Sequence, residues 1–187
     1  MKIFFVSLLA VGALVAEASA QQVAVGPGAV KLGKPDPEGI KSPEYNITGG
    51  PQKRSKIGTW LEIEVPYETK VDDIDELTFQ YMVMVDNVIC DGQVTYVNIP
   101  KGREHYAVMY ITPRALEKLT AGKPLSGSDI QNVWVTVQRQ GQILDQMAYK
   151  PQQPPNLPHQ AGLILNKNET PFAPLFYDRY EAIKASR

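Results

Sequence analysis

The sequence predicts a mainly β protein: an antiparallel, immunoglobulin-like β-sandwich with one short internal helix and a C-terminal aromatic helical segment. Three observations carry that expectation. Apolar and polar residues alternate over several runs, the period-two pattern of a strand with one buried face. Turn residues punctuate these runs between residues 44 and 149, a span close to the roughly 100 residues of an immunoglobulin-type domain. No strand–helix–strand alternation occurs, which argues against a parallel α/β sheet.

The 187 residues divide into four segments. Residues 1–20 read as a secretory signal peptide, with Lys2 as the positive start, an apolar stretch from Ile3 to Ala16, and Ala18-Ser19-Ala20 as the cleavage site. The apolar run is shorter than the roughly 20 residues a membrane-spanning helix needs. The mature chain is therefore expected to begin at Gln21 and to be exported, as a periplasmic, envelope-associated or extracellular protein, with no transmembrane segment after cleavage. Residues 21–43 are rich in Gly, Pro and Lys and read as an extended leader.

Residues 44–149 hold the predicted sandwich. Leu61, Ile63, Val65 and Tyr67 alternate with Glu62, Glu64 and Pro66, and Pro66 should end this strand or place it at an edge. Leu77, Phe79, Tyr81, Val83 and Val85 form a second set, with Met82 and Met84 making part of the opposite face apolar. Asp91-Gly92 reads as a turn before a third strand, Gln93 to Ile99. From His105 to Thr112 both faces are apolar, which suits a central strand. Thr112-Pro113 reads as an N-cap with Pro at the first helical position, opening a helix over 113–119 with Leu116 and Leu119 inward. Val133, Val135 and Val137 begin a hairpin that turns at Gln140-Gly141 and returns from Gln142 to Tyr149.

Residues 150–187 are a Pro-rich spacer and an aromatic tail. Pro151, Pro154, Pro155 and Pro158 make residues 150–158 a stiff spacer, nine residues that reach about 28 Å at about 3.1 Å each. Phe172, Phe176, Tyr180 and Ile183 then fall at helical spacings on one face of a short helix opened by Pro174, although Phe172 precedes it, and Leu175 and Tyr177 extend the apolar stripe. Each such side chain gains about 1.5–3 kcal/mol on burial, so the stripe should not stay in water. It is expected either to clasp its own domain, with Met82 and Met84 as the receiving face, or to dock on another protein.

Composition excludes several functions. The formal net charge is −1, which gives no electrostatic basis for nucleic-acid binding. Cys90 is the single cysteine, so an internal disulfide is impossible, and it reads as a small buried hydrophobe. His105 and His159 stand in no metal-ligand spacing, and no nucleophile, phosphate-loop or dinucleotide motif occurs. The expectation is a protein with no catalytic residues, no metal and no cofactor. Asp72, Asp73, Asp75 and Glu76 lack the spacing of a calcium loop and read as a solvated turn. Asn46-Ile47-Thr48 and Asn168-Glu169-Thr170 match the glycosylation pattern. Tyr96, Tyr106, Tyr110 and Trp134 lie on predicted strands and could form an aromatic platform for carbohydrate, or could simply brace the sheets.

The order of signal peptide, short sandwich and the string from Asn166 to Tyr180, NKNETPFAPLFYDRY, resembles a group of small exported proteins encoded among type IV pilus-like genes in mucin-degrading gut bacteria. The resemblance implies an immunoglobulin-like fold and a structural or interaction role in the cell envelope, with a protein partner there. It carries no catalytic residues over to this chain.

Overall fold

In a computed structural model the described residues are 25–45, 48–49, 57–127 and 129–185. The predicted signal peptide at 1–20, the first residues of the leader, Asn46 and Ile47 of the first glycosylation pattern, and Arg187 lie outside them. Among the described residues, no helix is long and apolar enough to cross a membrane.

The fold is mainly β, with two sheets packed face to face. The first contains β1 (Val30–Leu32), β2 (Asp36–Lys41), β3 (Thr59–Thr69), β6 (Gly102–Ile111) and β10 (Ile164–Asn166) in the order β1-β3-β6-β10, with β2 also paired to β3. The second contains β4 (Ile74–Val85), β5 (Val88–Ile99), β7 (Ile130–Arg139), β8 (Gln142–Ala148), β9 (His159–Ala161) and β11 (Ala182–Ile183) in the order β11-β5-β4-β7-β8. β9 adds to β5 in parallel; the other pairings are antiparallel.

The alternating residues meet in the middle. Leu61, Ile63 and Val65 of β3 face Phe79, Tyr81 and Val83 of β4 in one buried cluster that also takes Val133, Val135 and Val137 of β7. Tyr96 ties the sheets together by hydrogen bonds: its hydroxyl accepts from Val108 N at 2.9 Å and donates to Val108 O at 3.4 Å. Helix α1 (Pro113–Leu119) forms as the sequence predicts, with Thr112 Oγ1 accepting from Ala115 N at 3.1 Å and Leu116 buried. The β7–β8 hairpin turns at Gln140 and Gly141, both at positive φ.

Three local expectations are corrected. Residues 30–41 are not a free-standing leader: β1 and β2 pair in succession along β3. Pro66 neither ends β3 nor puts it at a sheet edge. Its carbonyl accepts from Gly33 N at 2.7 Å, and in a strand the N and C=O of one residue face the same side. The prolyl nitrogen therefore faces the break between β2 and β1, where no donor is required. The turn after β4 is not Asp91-Gly92 but Asp86-Asn87, with φ of 45° and 63°, the left-handed pair of a tight hairpin. Gly92 sits inside β5 because a side chain there has no room: a Cβ would stand 2.6 Å from Ile164 Cβ of β10.

That close approach yields a test. Gly92→Ala should destabilise the fold by about 1–3 kcal/mol, the range for overpacking a dense core, measured by chemical denaturation of the purified protein. Unchanged stability would show that β10 does not press on β5.

Candidate functional site

The site is built by the chain after Ala148, which crosses both sheets. The spacer first runs over the outer face of the second sheet. Leu157 packs with Met82, Met84, Ile89 and Trp134, and Trp134 Nε1 donates to Gln152 O. The spacer therefore takes this face, with Met84 buried and Met82 half-buried beside it, and the aromatic tail does not use it. β9 then joins β5, with His159 Nδ1 2.8 Å from Asp91 Oδ2, and β10 joins β6.

Beyond β10 the tail folds over the outer face of the first sheet. A capping box opens the 3-10 turn Lys167–Glu169: Asn166 Oδ1 accepts from Asn168 N at 3.0 Å, and Glu169 Oε2 accepts from Asn166 N at 2.9 Å. Lys167 is buried and donates to Ala173 O at 2.8 Å; the same burial lowers the pKa of its ammonium. The expected aromatic helix does not form. Residues 170–179 make separate turns, closed by Ala173 N to Thr170 O, Leu175 N to Phe172 O and Arg179 N to Phe176 O. Pro171 and Pro174 supply no N–H, and Phe176 stands at φ 52°, so no continuous ladder can run through the segment.

Phe172 is the anchor. Its ring stacks on Tyr110 at 4.8 Å and meets Trp60 edge-on at 5.5 Å, with Val108 completing a second buried cluster. These partners lie on β3 and β6, so the doubly apolar strand 105–112 has its outer face covered by the tail. Glu64 of β3 organises the polar side. It accepts from Arg179 Nε at 2.9 Å, Arg179 Nη2 at 2.6 Å and the Tyr180 hydroxyl at 2.7 Å. The Arg179 guanidinium also lies 3.6 Å over the Tyr106 ring. Burial, and then the hydrogen bond to Glu64, raises the Tyr180 phenol above its usual range, so it remains a donor. Burial also raises the neighbouring Glu62 carboxyl. Further on, Glu181 Oε1 lies 3.0 Å from His105 Nδ1, Ile183 pairs with Tyr96 in β11, and Lys184 pairs with Glu76.

The predicted tail residues thus separate. Phe172 is buried, Leu175, Tyr180 and Ile183 are half-buried, and Phe176 and Tyr177 remain exposed at 57% and 84%. The aromatic platform is not formed. Tyr96 is in the core, Tyr110 lies beneath Phe172, Trp134 beneath the spacer and Tyr106 beneath Arg179. Trp60 and Glu64, central to the tail's seat, were not readable as tail contacts. The signal that could have found them was the second apolar face of strand 105–112.

The other candidates are placed as follows. Cys90 is buried in β5, and burial, then Asp91, pushes its thiol up to about 11. His105 lies against Tyr67, Thr69 and Glu181. Asp72, Asp75 and Glu76 face Lys101, Arg139 and Lys184 respectively.

A protein-family model matches residues 21–187. No curated protein matches the chain at a significant level. A crystal structure of a protein from Akkermansia muciniphila, a mucin-degrading gut bacterium, is similar at 26% identity and a TM-score of 0.72, over 84% of this chain and 94% of that one.

Two outcomes are expected. Phe172→Ala should cost about 3–5 kcal/mol and shift Trp60 emission to the red, measured by denaturation and fluorescence; an unchanged Trp60 spectrum would contradict the anchor. Cys90 should resist a thiol reagent in the native protein and react on unfolding, because its thiolate is scarce and covered; rapid native labelling would contradict its burial. The family match spans nearly the whole chain, and the chain belongs to the family that this model describes.

Proposed function

We propose that the protein is an exported, non-enzymatic interaction module that holds a protein partner in the cell envelope through its C-terminal tail. One observation carries this reading. Phe176 and Tyr177 project into solvent from a tail that is otherwise fastened down by Phe172, Arg179 and Tyr180. Phe176 does so at φ 52°, a backbone region that bulky side chains rarely adopt. Folding alone would favour a residue such as glycine there. A strained backbone that holds two rings in water suits rings that a partner covers.

Other features support the same reading. The family match begins at residue 21, directly after the predicted signal peptide, which fits an exported mature protein. The size, the two-sheet architecture and the antiparallel pairing favour an immunoglobulin-like sandwich. Cys90 is buried with its thiol pushed up, which suits a packing role better than a nucleophile's. The resemblance of the tail string to exported proteins of pilus-like gene sets supports a partner in such an envelope assembly.

The test uses a photo-crosslinking residue in place of Tyr177, with one in place of the exposed Ile143 on β8 as the control. A specific envelope protein should crosslink from position 177 and not from 143. With the crosslinking residue kept at position 177, Phe176→Gly should sharply reduce the product while leaving the melting temperature unchanged or slightly higher, since the strain is relieved. Crosslinks that are identical at both positions, or that are undiminished by Phe176→Gly, would refute the proposal.

A further inference from the structure

The outer face of the second sheet carries two stripes that run across its strands. Register places Gln93 of β5, Gln80 of β4, Thr136 of β7 and Gln146 of β8 directly opposite one another. The adjacent row is Asp91, Met82, Trp134 and Ala148. A row of amides and a hydroxyl therefore lies beside a row that is mostly apolar. At about 4.8 Å between strands, four strands make each row about 14 Å long.

The rows form the floor of a trough. One part, about 450 Å³, lies between Met82, Trp134 and Gln146 and a wall made by Pro151 and Pro154 of the spacer. The other, about 400 Å³, continues over Gln80 and Gln93 to Ala161 of β9. Met82 and Thr136 line both parts, so they are continuous. Gln146 Nε2 donates to Thr136 Oγ1 at 3.1 Å, whereas the amides of Gln80 and Gln93 make no hydrogen bond to the described residues.

The lining selects the occupant. Among the described residues neither part is lined by Lys or Arg, which disfavours phosphates and other anions. Asp91, the one carboxylate among the described lining residues, is already engaged by His159. The trough is open and partly polar, unlike the enclosed apolar pocket that suits a lipid or drug-like molecule. An extended peptide would seek a bare strand edge, and the one this sheet offers is the outer side of β8, away from Gln80 and Gln93, because β9 and β11 occupy the free side of β5. What remains is a neutral molecule with hydroxyls along one side and C–H groups along the other. Glutamine amides both donate and accept, as sugar hydroxyls do.

We propose that this trough binds a neutral oligosaccharide, its hydroxyls on Gln80, Gln93 and Thr136 and its C–H faces on Met82, Ala148 and Pro151. The site is independent of the tail-mediated protein contact. It also differs from a stacking platform, because the one aromatic in its floor lies beneath the spacer.

Calorimetric titration of the protein from Gln21 onward tests it. The panel is neutral tri- to pentasaccharides built from glucose, galactose, xylose or N-acetylhexosamines, each beside an acidic counterpart. At least one neutral member should bind, and its acidic counterpart should bind no tighter. Gln80→Ala with Gln93→Ala should weaken that binding about tenfold or more, the effect of losing two hydrogen bonds. Thr136→Arg, which fills the trough, should abolish it, and both variants should keep the wild-type melting temperature. Phe176→Gly with Tyr177→Ser should leave it unchanged, which separates this site from the protein contact. A panel in which no neutral member binds, or binding that survives Thr136→Arg, overturns the proposal.

Discussion

A sandwich of two open sheets has four strand edges to manage, and here the C-terminal chain covers two of them together, β5 in one sheet and β6 in the other. β5 in one sheet and β6 in the other lie along the same side of the molecule, where Ile164 presses on Gly92. Bare backbone on that side would leave unpaired N–H and C=O groups in water and invite pairing with another chain. β9 and β11 cover two stretches of β5, and β10 covers the end of β6. Where β10 stops pairing at Met109, the Tyr96 hydroxyl takes up both polar groups of Val108. The closure thus joins strand pairing with one side chain from the opposite sheet.

Phe172 gives the closure its hold. The segment between β10 and β11 is a run of turns with little hydrogen bonding of its own, so its order must come from packing. A ring between Trp60 and Tyr110 supplies that packing. The bidentate pair between Arg179 and Glu64 is half-exposed on the arginine side, and pairs of that kind add modestly to stability. Its greater effect is orientation: with Tyr180 on the same carboxylate and Tyr106 beneath the guanidinium, residues 179–180 can lie one way only. Phe176 and Tyr177, between the two fixed points, are left outside.

Much of this was legible in the residues. The inward rows of β3, β4 and β7 follow the apolar alternation, broken where outward residues are also covered, and α1 follows its cap and proline. The two-faced apolar character of strand 105–112 was also visible, as was the need to bury the tail. Which receiving face matched the tail was not, because a single sequence shows that two faces are apolar without showing what covers each. Met82 and Met84 were equally good candidates by sequence, but the spacer packs on that face instead. Gly92 misled for a similar reason: glycine marks a turn and a close approach alike, and Ile164 lies far along the chain. The tail's failure to form a helix came from a left-handed Phe176, a conformation that no propensity would suggest.

The most direct test removes the closure. A chain running from Gln21 to Pro158 lacks β9, β10, the aromatic turns and β11 but keeps the sandwich strands and the spacer. Losing Ile164 and Phe172 alone forfeits about 3–6 kcal/mol of burial, and each kcal/mol moves the midpoint by about 2–4 °C in a chain of this size. Scanning calorimetry should therefore show a midpoint lower by about 10 °C or more, with amide exchange quickened in β5 and β6 and not in β7. A truncated protein that melts at the wild-type temperature, with β5 and β6 as protected as before, would contradict the account.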